Sequence, residues 1–339
     1  MICDPPKQDL EEICSKNSHF LKKLSGMRIL ITGGTGFIGN WLATALLESN
    51  HLLDSDISIT TISRSRPRYV NDKSSRVSWV EFDLSKGFPE IDGQYDAVFL
   101  LANPVNAAKT SMFYTKIARA QTAIARKVVQ LADNQNVRIV HTSSGAVYGR
   151  SNATGASFDE REKASPDAQD RYAQAKIITE KELVSLCQNK VFPAQNPRLF
   201  TFYGPGQPTN SHFAIGNFLE KALAGQAIEV SGHPETTRSY MYQSDLISYL
   251  IRIAASPSNQ IVNIGSQDAW KMRDLAGLIS NMFGSGKIMF LGKSSLVDPT
   301  YYWPDTKNLR AQYGGFQETP IEQGLERWVK WLSEAKSNS

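Results

Sequence analysis

The feature that most limits how this chain can fold sits at its first apolar strand. Met27-Arg-Ile-Leu-Ile-Thr32 runs directly into Gly33-Gly-Thr-Gly-Phe-Ile-Gly39, and an apolar helical stretch follows. Gly33, Gly36 and Gly39 recur every three residues, and Gly34, Gly36 and Gly39 also fit G-x-G-x-x-G. Glycine permits the tight turn and lets the backbone approach a pyrophosphate, whose charge then lies at a helix N-terminus. Such a motif alone is weak evidence. Between an apolar strand and an apolar helix, it makes Gly33, Gly36, Phe37, Ile38 and Gly39 candidates for binding a dinucleotide.

The rest of the chain agrees with that start. From Met27 short apolar runs alternate with helical stretches, which predicts an α/β fold with a parallel sheet covered on both faces. The predicted strands are Arg28–Thr32, Ile57–Ser63, Val77–Phe82, Ala97–Ala102, Arg138–Thr142 and Arg198–Phe202, with helices at Ile38–Glu48, Met112–Asp133 and Tyr172–Gln188. Repeated right-handed units of this kind give a Rossmann doubly wound sheet whose ligand crevice lies at the strands' carboxyl ends. Beyond Gly204 the rhythm loosens, which predicts a smaller mixed α/β substrate region over 204–339, partly interleaved with a dinucleotide domain over 27–203. Residues 1–26 read as a helical extension, with Leu10, Ile13, Cys14, Leu21 and Leu24 marking the face that packs on the main domain.

Composition removes other classes. The chain has 339 residues, 41% of them hydrophobic and 21% charged, too apolar for disorder and long enough to bury a large core. Its 37 basic against 33 acidic residues are spread along the chain, so no nucleic-acid footprint is indicated. The slight excess suits an anionic small molecule. Three cysteines without metal spacing point to a reducing cytoplasm and no structural metal. No secretory leader and no membrane-spanning run is expected from the sequence.

Two further segments carry chemistry. The second strand should end on the group that reads the adenosine ribose, and Ser63 is followed there by Arg64 and Arg66 with no carboxylate. Guanidinium forks suit a 2′-phosphate, so NADP(H) is favoured over NAD(H). Tyr172-Ala-Gln-Ala-Lys176 opens a helix, and four-residue spacing puts Tyr172 and Lys176 on one face. The ammonium is expected to lower the phenol's pKa toward working pH, making Tyr172 an acid/base for carbinol–carbonyl interconversion. The fifth strand, ending in His141-Thr-Ser-Ser-Gly-Ala-Val-Tyr-Gly149, would place its hydroxyls beside the nicotinamide.

Taken together, TGGTGFIG, SSGAVYG, YAQAK and RLFTFYGPG, in this order and spacing, resemble the extended short-chain dehydrogenase/reductases that modify nucleotide sugars. HFAIGNF, RSYMYQSDL and the helical leader further resemble a branch among bacterial deoxysugar and surface-polysaccharide enzymes. The resemblance implies Tyr172 as acid/base, Lys176 on the nicotinamide ribose, and Ser144 on the reacting sugar oxygen. It implies Asp83 and Leu84 at the adenine, Leu101 and Ala102 along the pyrophosphate path, Thr142 at the cofactor, and Leu199 and Phe200 flanking the nicotinamide. On the substrate side it implies Arg238 on the diphosphate, with Gly145, Thr201, His212, Phe213 and Asn217 around the sugar. It also implies a homodimer joined through the helices Met112–Asp133 and Tyr172–Gln188.

The departures from the family pattern bear on the reaction. Dehydratases place an Asp-Glu pair after the hydroxyl residue and sugar-acid decarboxylases a Glu at the second place, where this chain has Gly145 and Ala146. Elimination and decarboxylation are therefore disfavoured, with Glu160 and Asp159 expected on a solvent-facing loop. Thr201 and Gln121 replace family asparagines, and a late substrate arginine is missing from GKSSLVDPTYYWPD. Two enzyme readings remain, an NADPH-dependent reductase of an NDP-4-keto-6-deoxy sugar and a 4-epimerase holding NAD tightly. The arginines favour the reductase, and the intact Ser144, Tyr172 and Lys176 speak against a non-catalytic dinucleotide sensor.

Overall fold

Two short helices precede the first strand, α1 (Lys7–Lys16) and α2 (Ser18–Lys22). Then come β1 (Arg28–Thr32), α3 (Phe37–Leu53), β2 (Ser58–Ser63), β3 (Val77–Glu81), β4 (Ala97–Leu100) and α4 (Ser111–Leu131). They lead to β5 (Arg138–His141), β6 (Ser143–Ser144), α5 (Arg171–Cys187), β7 (Ala194–Gln195), β8 (Arg198–Leu199) and β9 (Phe202–Tyr203). The later part holds α6 (Ala214–Leu223), β10 (Ile228–Val230), β11 (Thr237–Ser239), β12 (Met241–Tyr242), α7 (Gln243–Ala255) and β13 (Asn263–Ile264). It ends with β14 (Ala269–Lys271), α8 (Met272–Phe283), β15 (Ile288–Phe290), β16 (Tyr301–Tyr302), α9 (Lys307–Tyr313) and α10 (Ile321–Ser337). This computed structural model describes residues 4–70, 76–102, 111–131, 137–149, 155–167, 170–188, 193–209, 213–284, 286–291 and 298–337. The last two residues of the predicted helix Met112–Asp133 lie outside them.

The main sheet is parallel throughout, in the order β3-β2-β1-β4-β5-β7. Its strand order reverses between β1 and β4, so a crevice opens at their carboxyl ends. Ile29, Leu30 and Ile31 of β1 and the whole of β4 are fully buried, as expected for strands covered on both faces. The sixth strand differs from its predicted place at Arg198–Phe202. Ala194 and Gln195 pair with β5, and Asn196-Pro197 interrupts the run. Proline has no N–H for the ladder, though Pro197 still accepts from Ser143 N at 2.9 Å. Beyond it β8 resumes between β6 and β13.

The leader is built into the core. Leu10, Ile13, Cys14, Leu21 and Leu24 are all buried against α3 and α7. Asn17 breaks the segment into two helices and serves α7 instead, donating to Ser248 Oγ at 2.9 Å and accepting from Arg252 Nε at 2.7 Å. Covered in this way, α7 is buried along its full length. Among the described residues no helix is long and apolar enough to cross a membrane.

Candidate active site

Local geometry explains the glycines. Gly33 leaves β1 with φ +77°, and a Cβ there would lie 2.9 Å from Ala102 Cα. A Cβ on Gly39 would run into the carbonyl oxygen of Gly33, so α3 packs this closely on the turn only without one. Thr32 Oγ1 accepts from Leu101 N (3.0 Å) and Ala102 N (3.2 Å), tying the ends of β1 and β4 together. The first residue before α3 is Gly36, and no side chain caps that helix. Its first amides therefore suit an anion such as a pyrophosphate.

A cavity of about 550 Å³ opens above this turn. Of the predicted cofactor residues, Gly33, Gly36, Phe37, Ile38, Gly39, Arg64, Asp83, Leu84, Leu101, Ala102, Thr142, Tyr172, Lys176, Leu199 and Phe200 line it. Ser144, Thr201 and Phe213 line it from the substrate side. Arg66, Gly145, Asn217 and Arg238 do not line it, and His212 lies outside the described residues. Arg238 donates to Thr237 O, Thr300 O and Thr300 Oγ1. Glu160 is half-buried rather than solvated, accepting from Asn263 N at 2.9 Å and Asn308 Nδ2 at 3.0 Å. Neither it nor Asp159, which pairs with Arg161, lines the cavity.

The catalytic candidates converge from separate elements. Asp170 caps α5 by accepting from Ala173 N at 3.0 Å, which fixes the turn carrying Tyr172 and Lys176. Ser143 and Ser144 sit on β6. Ser143 donates to Glu180, whose other oxygen pairs with Arg198 at 2.9 Å, while Ser144 Oγ accepts from Ala146 N at 3.2 Å and lines the cavity with Tyr172. The buried Glu180–Arg198 pair thus clamps α5 to β8 beneath the reacting hydroxyls. Gln121 of α4 donates to Ala102 O at 2.6 Å and so steadies the carboxyl end of β4.

The electrostatics differ from the sequence expectation. Burial pushes the Tyr172 phenol up to about 12, with the Ser144 hydroxyl opposing it. Lys176 does not hold that phenol low. Its Nζ donates to Thr142 O, lies 3.5 Å from His141 Nε2, and stands 5.8 Å from the centre of the Tyr172 ring. Burial brings Lys176 itself down to about 7, against the pull of Glu180. His141 Nδ1 meets Asn196 Oδ1 at 2.9 Å, which leaves Nε2 as the acceptor facing the lysine. Burial holds this imidazole well below its ordinary pKa, and therefore neutral.

Sequence reasoning missed Tyr302. It lines the cavity from β16, its ring centre 4.7 Å from that of Phe200. The signal available was the aromatic run Tyr301-Tyr302-Trp303, in the very segment searched for an arginine. Phe113, Ile117, Gln207 and Pro208 also complete the wall.

Comparison with known proteins places these observations. UDP-glucuronic acid decarboxylase 1 of Xenopus tropicalis is 25% identical over 316 residues, covering 92% of this chain and 74% of that protein. The solved dTDP-glucose 4,6-dehydratase of Bacillus anthracis, in complex with NAD, matches with a TM-score of 0.73 and 17% identity over 92% of this chain and 98% of its own. UDP-glucuronic acid 4-epimerase of Bacillus cereus, also in complex with NAD, matches with 0.73 and 21% over 91% and 99%. These NAD complexes overturn the preference for NADP(H). The structure supplies the physical reason. Arg64 and Arg66 are both exposed and only Arg64 reaches the cavity, so the two guanidiniums form no joint phosphate fork. The Asp83 carboxylate lies there as well. Burial pushes its pKa up, but Ser85 N–H at 2.9 Å and the charge of Arg64 outweigh that and keep it ionised. The family model for the NAD dependent epimerase/dehydratase family matches residues 29–265, and the chain belongs to that family, with the fold of the extended short-chain dehydrogenase/reductases.

Proposed function

We propose that this enzyme uses NAD to interconvert carbinol and carbonyl at C4 of a nucleotide-diphosphate sugar and returns the hydride to the same carbon, a 4-epimerisation. One observation carries this reading: Ser144, Tyr172 and Lys176 stand together in the wall of the cavity that the glycine turn also lines. The glycine turn and the uncapped start of α3 fit the pyrophosphate, and Asp83 the adenosine end. NAD, when bound, supplies the acceptor and donor of hydride. Tyr172 takes the C4 hydroxyl proton as the ketone forms and gives it back as the carbinol is restored. Lys176 lines the same cavity, its Nζ held by Thr142 O and beside His141 Nε2.

The reductase alternative rested on NADP(H), and it loses that support. A second reading, decarboxylation of a uronic-acid sugar, is favoured by the name of the Xenopus relative. It requires a proton to be delivered at C5 after carbon dioxide leaves, and Gly145 and Ala146 have no group to deliver one. The test incubates the protein with NAD and UDP-glucuronic acid or UDP-glucose, and separately with NADH and a 4-keto-6-deoxy sugar nucleotide, followed by proton NMR and mass. C4 inversion at unchanged mass supports the proposal. Loss of carbon dioxide or water, or stoichiometric consumption of NADH, refutes it. A homodimer through α4 and α5 accompanies the reading, supported by the exposed Met112, Ile178 and Val184 on those helices and testable by sedimentation.

A further inference from the structure

A histidine stands behind Lys176 that neither the glycine turn nor the proposed chemistry uses. His141 ends β5 and is fully buried, and Asn196 beside it is buried as well. An imidazole and a carboxamide inside the protein are costly unless their polar atoms are paired. Here they pair with each other, His141 Nδ1 meeting Asn196 Oδ1 at 2.9 Å. The other side of the imidazole faces Lys176, whose Nζ lies 3.5 Å from Nε2. The break in the sixth strand puts Asn196 at this spot. β7 stops at Gln195 and β8 starts at Arg198, so Asn196 falls in the gap where the chain leaves the main sheet.

Counting donors shows what the pair does. Asn196 Oδ1 is an acceptor, so His141 carries its hydrogen on Nδ1 and keeps a lone pair on Nε2. The other tautomer would turn an N–H toward the ammonium and repel it. Lys176 has three N–H groups. It gives one to Thr142 O and aims a second at His141 Nε2, which leaves one for a ligand in the cavity that it lines.

We propose that Asn196 and His141 are positioning residues that act on Lys176. Asn196 fixes the imidazole tautomer, and the His141 lone pair tethers the buried lysine as an ammonium with one donor left for the ligand. Burial already brings Lys176 down to about 7. An acceptor favours the charged form, so removing it should bring the lysine down further. This inference rests on the place of Lys176 in the cavity wall, and not on the C4 chemistry or the identity of the sugar.

Among the described residues, the other charged and titratable groups around Lys176 are Tyr172, Glu180 and Arg198. Tyr172 lies one turn before it on α5, with its ring centre 5.8 Å from Nζ. Glu180 lies one turn after it and pairs with Arg198 of β8. Substitutions at His141 and Asn196 remove none of them.

The experiment uses the whole protein with neither NAD nor sugar. Nitrogen NMR of 15N-histidine-labelled protein reads the tautomer, with the His141 ring assigned by elimination against the other four histidines. Nδ1 should be protonated and Nε2 bare at neutral pH. A proton on Nε2 overturns the proposal without any variant having to fold. Labelled lysine then follows the Lys176 side chain against pH, identified by its loss in Lys176→Arg. His141→Leu should lower the midpoint by about one pH unit, the scale of one hydrogen bond to a charged group. That variant leaves Asn196 Oδ1 unpaired in the core, at a cost in stability. Replacing Asn196 by Leu as well makes both partners apolar, a change that is close to neutral for folding. The double variant should therefore melt near the parent and still show the lowered lysine midpoint. A stable double variant with an unmoved midpoint would mean that the pair only fills the core, and the proposal falls. Because no sugar is present, failure of the epimerase reading leaves these measurements unaffected.

Discussion

At the dinucleotide end of the cavity six lining residues come from one contiguous stretch, Gly33–Gly39, whereas at the catalytic end they are delivered by β6, α5, β8 and β16. The first kind of site is set by which residues lack a Cβ. The second depends on buried polar groups that hold one another in register across the fold. A change at the catalytic end should therefore be able to abolish chemistry in a folded protein. A change in the glycine turn should act first on the turn itself.

The largest effect expected is on chemistry. Tyr172→Phe removes the only atom of that side chain able to move a proton, and should lower turnover by about two to four orders of magnitude while NAD affinity holds. Steady-state rates on the sugar found in the substrate panel, with fluorescence titration of NADH, check both parts. An unchanged rate would move the acid/base elsewhere.

Next comes the clamp beneath that end. Arg198→Met leaves the Glu180 carboxylate buried without its partner, and breaking a pair of this kind costs about 3–5 kcal/mol. Thermal unfolding should show a lowered midpoint. Replacing Glu180 by Met as well should recover most of the loss, because two apolar groups leave no charge to desolvate. If the single variant is as stable as the parent, the clamp is not what joins α5 to β8.

The same contrast explains what was legible in the sequence. GGTGFIG, YAQAK and SSGAVYG each place their residues by local geometry, a turn, one helical face or a strand end, so position in the chain predicted position in the cavity. Tyr302 and Arg198 act through contacts across the fold, and no local pattern announces them. Arg238 was placed on the diphosphate by resemblance; in the structure it donates to Thr237 O, Thr300 O and Thr300 Oγ1 and does not line the cavity. The predicted effect of Lys176 on Tyr172 failed for a related reason. Four-residue spacing brings two side chains to one face but does not aim the ammonium, which Thr142 O and His141 draw away. The strand that extends the main sheet, Ala194–Gln195, lies before Pro197, and the predicted Arg198–Phe202 run pairs elsewhere.

The turn offers the third test. A methyl at Gly39 meets backbone atoms, 2.9 Å from Gly33 C and 3.0 Å from Gly34 Cα, and backbone cannot swing aside as a side chain can. Gly39→Ala should destabilise the fold by about 1–3 kcal/mol, the usual cost of overpacking, and weaken NAD binding through the displaced turn. Calorimetry on the free and NAD-loaded protein separates the two effects. A variant that keeps its stability but loses NAD would mean that the glycine serves the ligand alone.

The smallest effect expected falls at the rim of the dinucleotide end. Arg64 lines the cavity but is exposed, and its charge acts across solvent on the ionised Asp83. Pairs of this kind are worth about 0–1 kcal/mol and weaken with salt. Arg64→Ala should therefore change NAD affinity by less than about fivefold, a difference that shrinks further at high ionic strength. Asp83 contributes from a place where Ser85 N–H also holds the carboxylate, so Asp83→Ala should cost more than Arg64→Ala. Titration calorimetry with NAD on both variants at two salt concentrations gives the order directly. If Arg64→Ala proves the more damaging, the adenosine end is read by the guanidinium and not by the carboxylate.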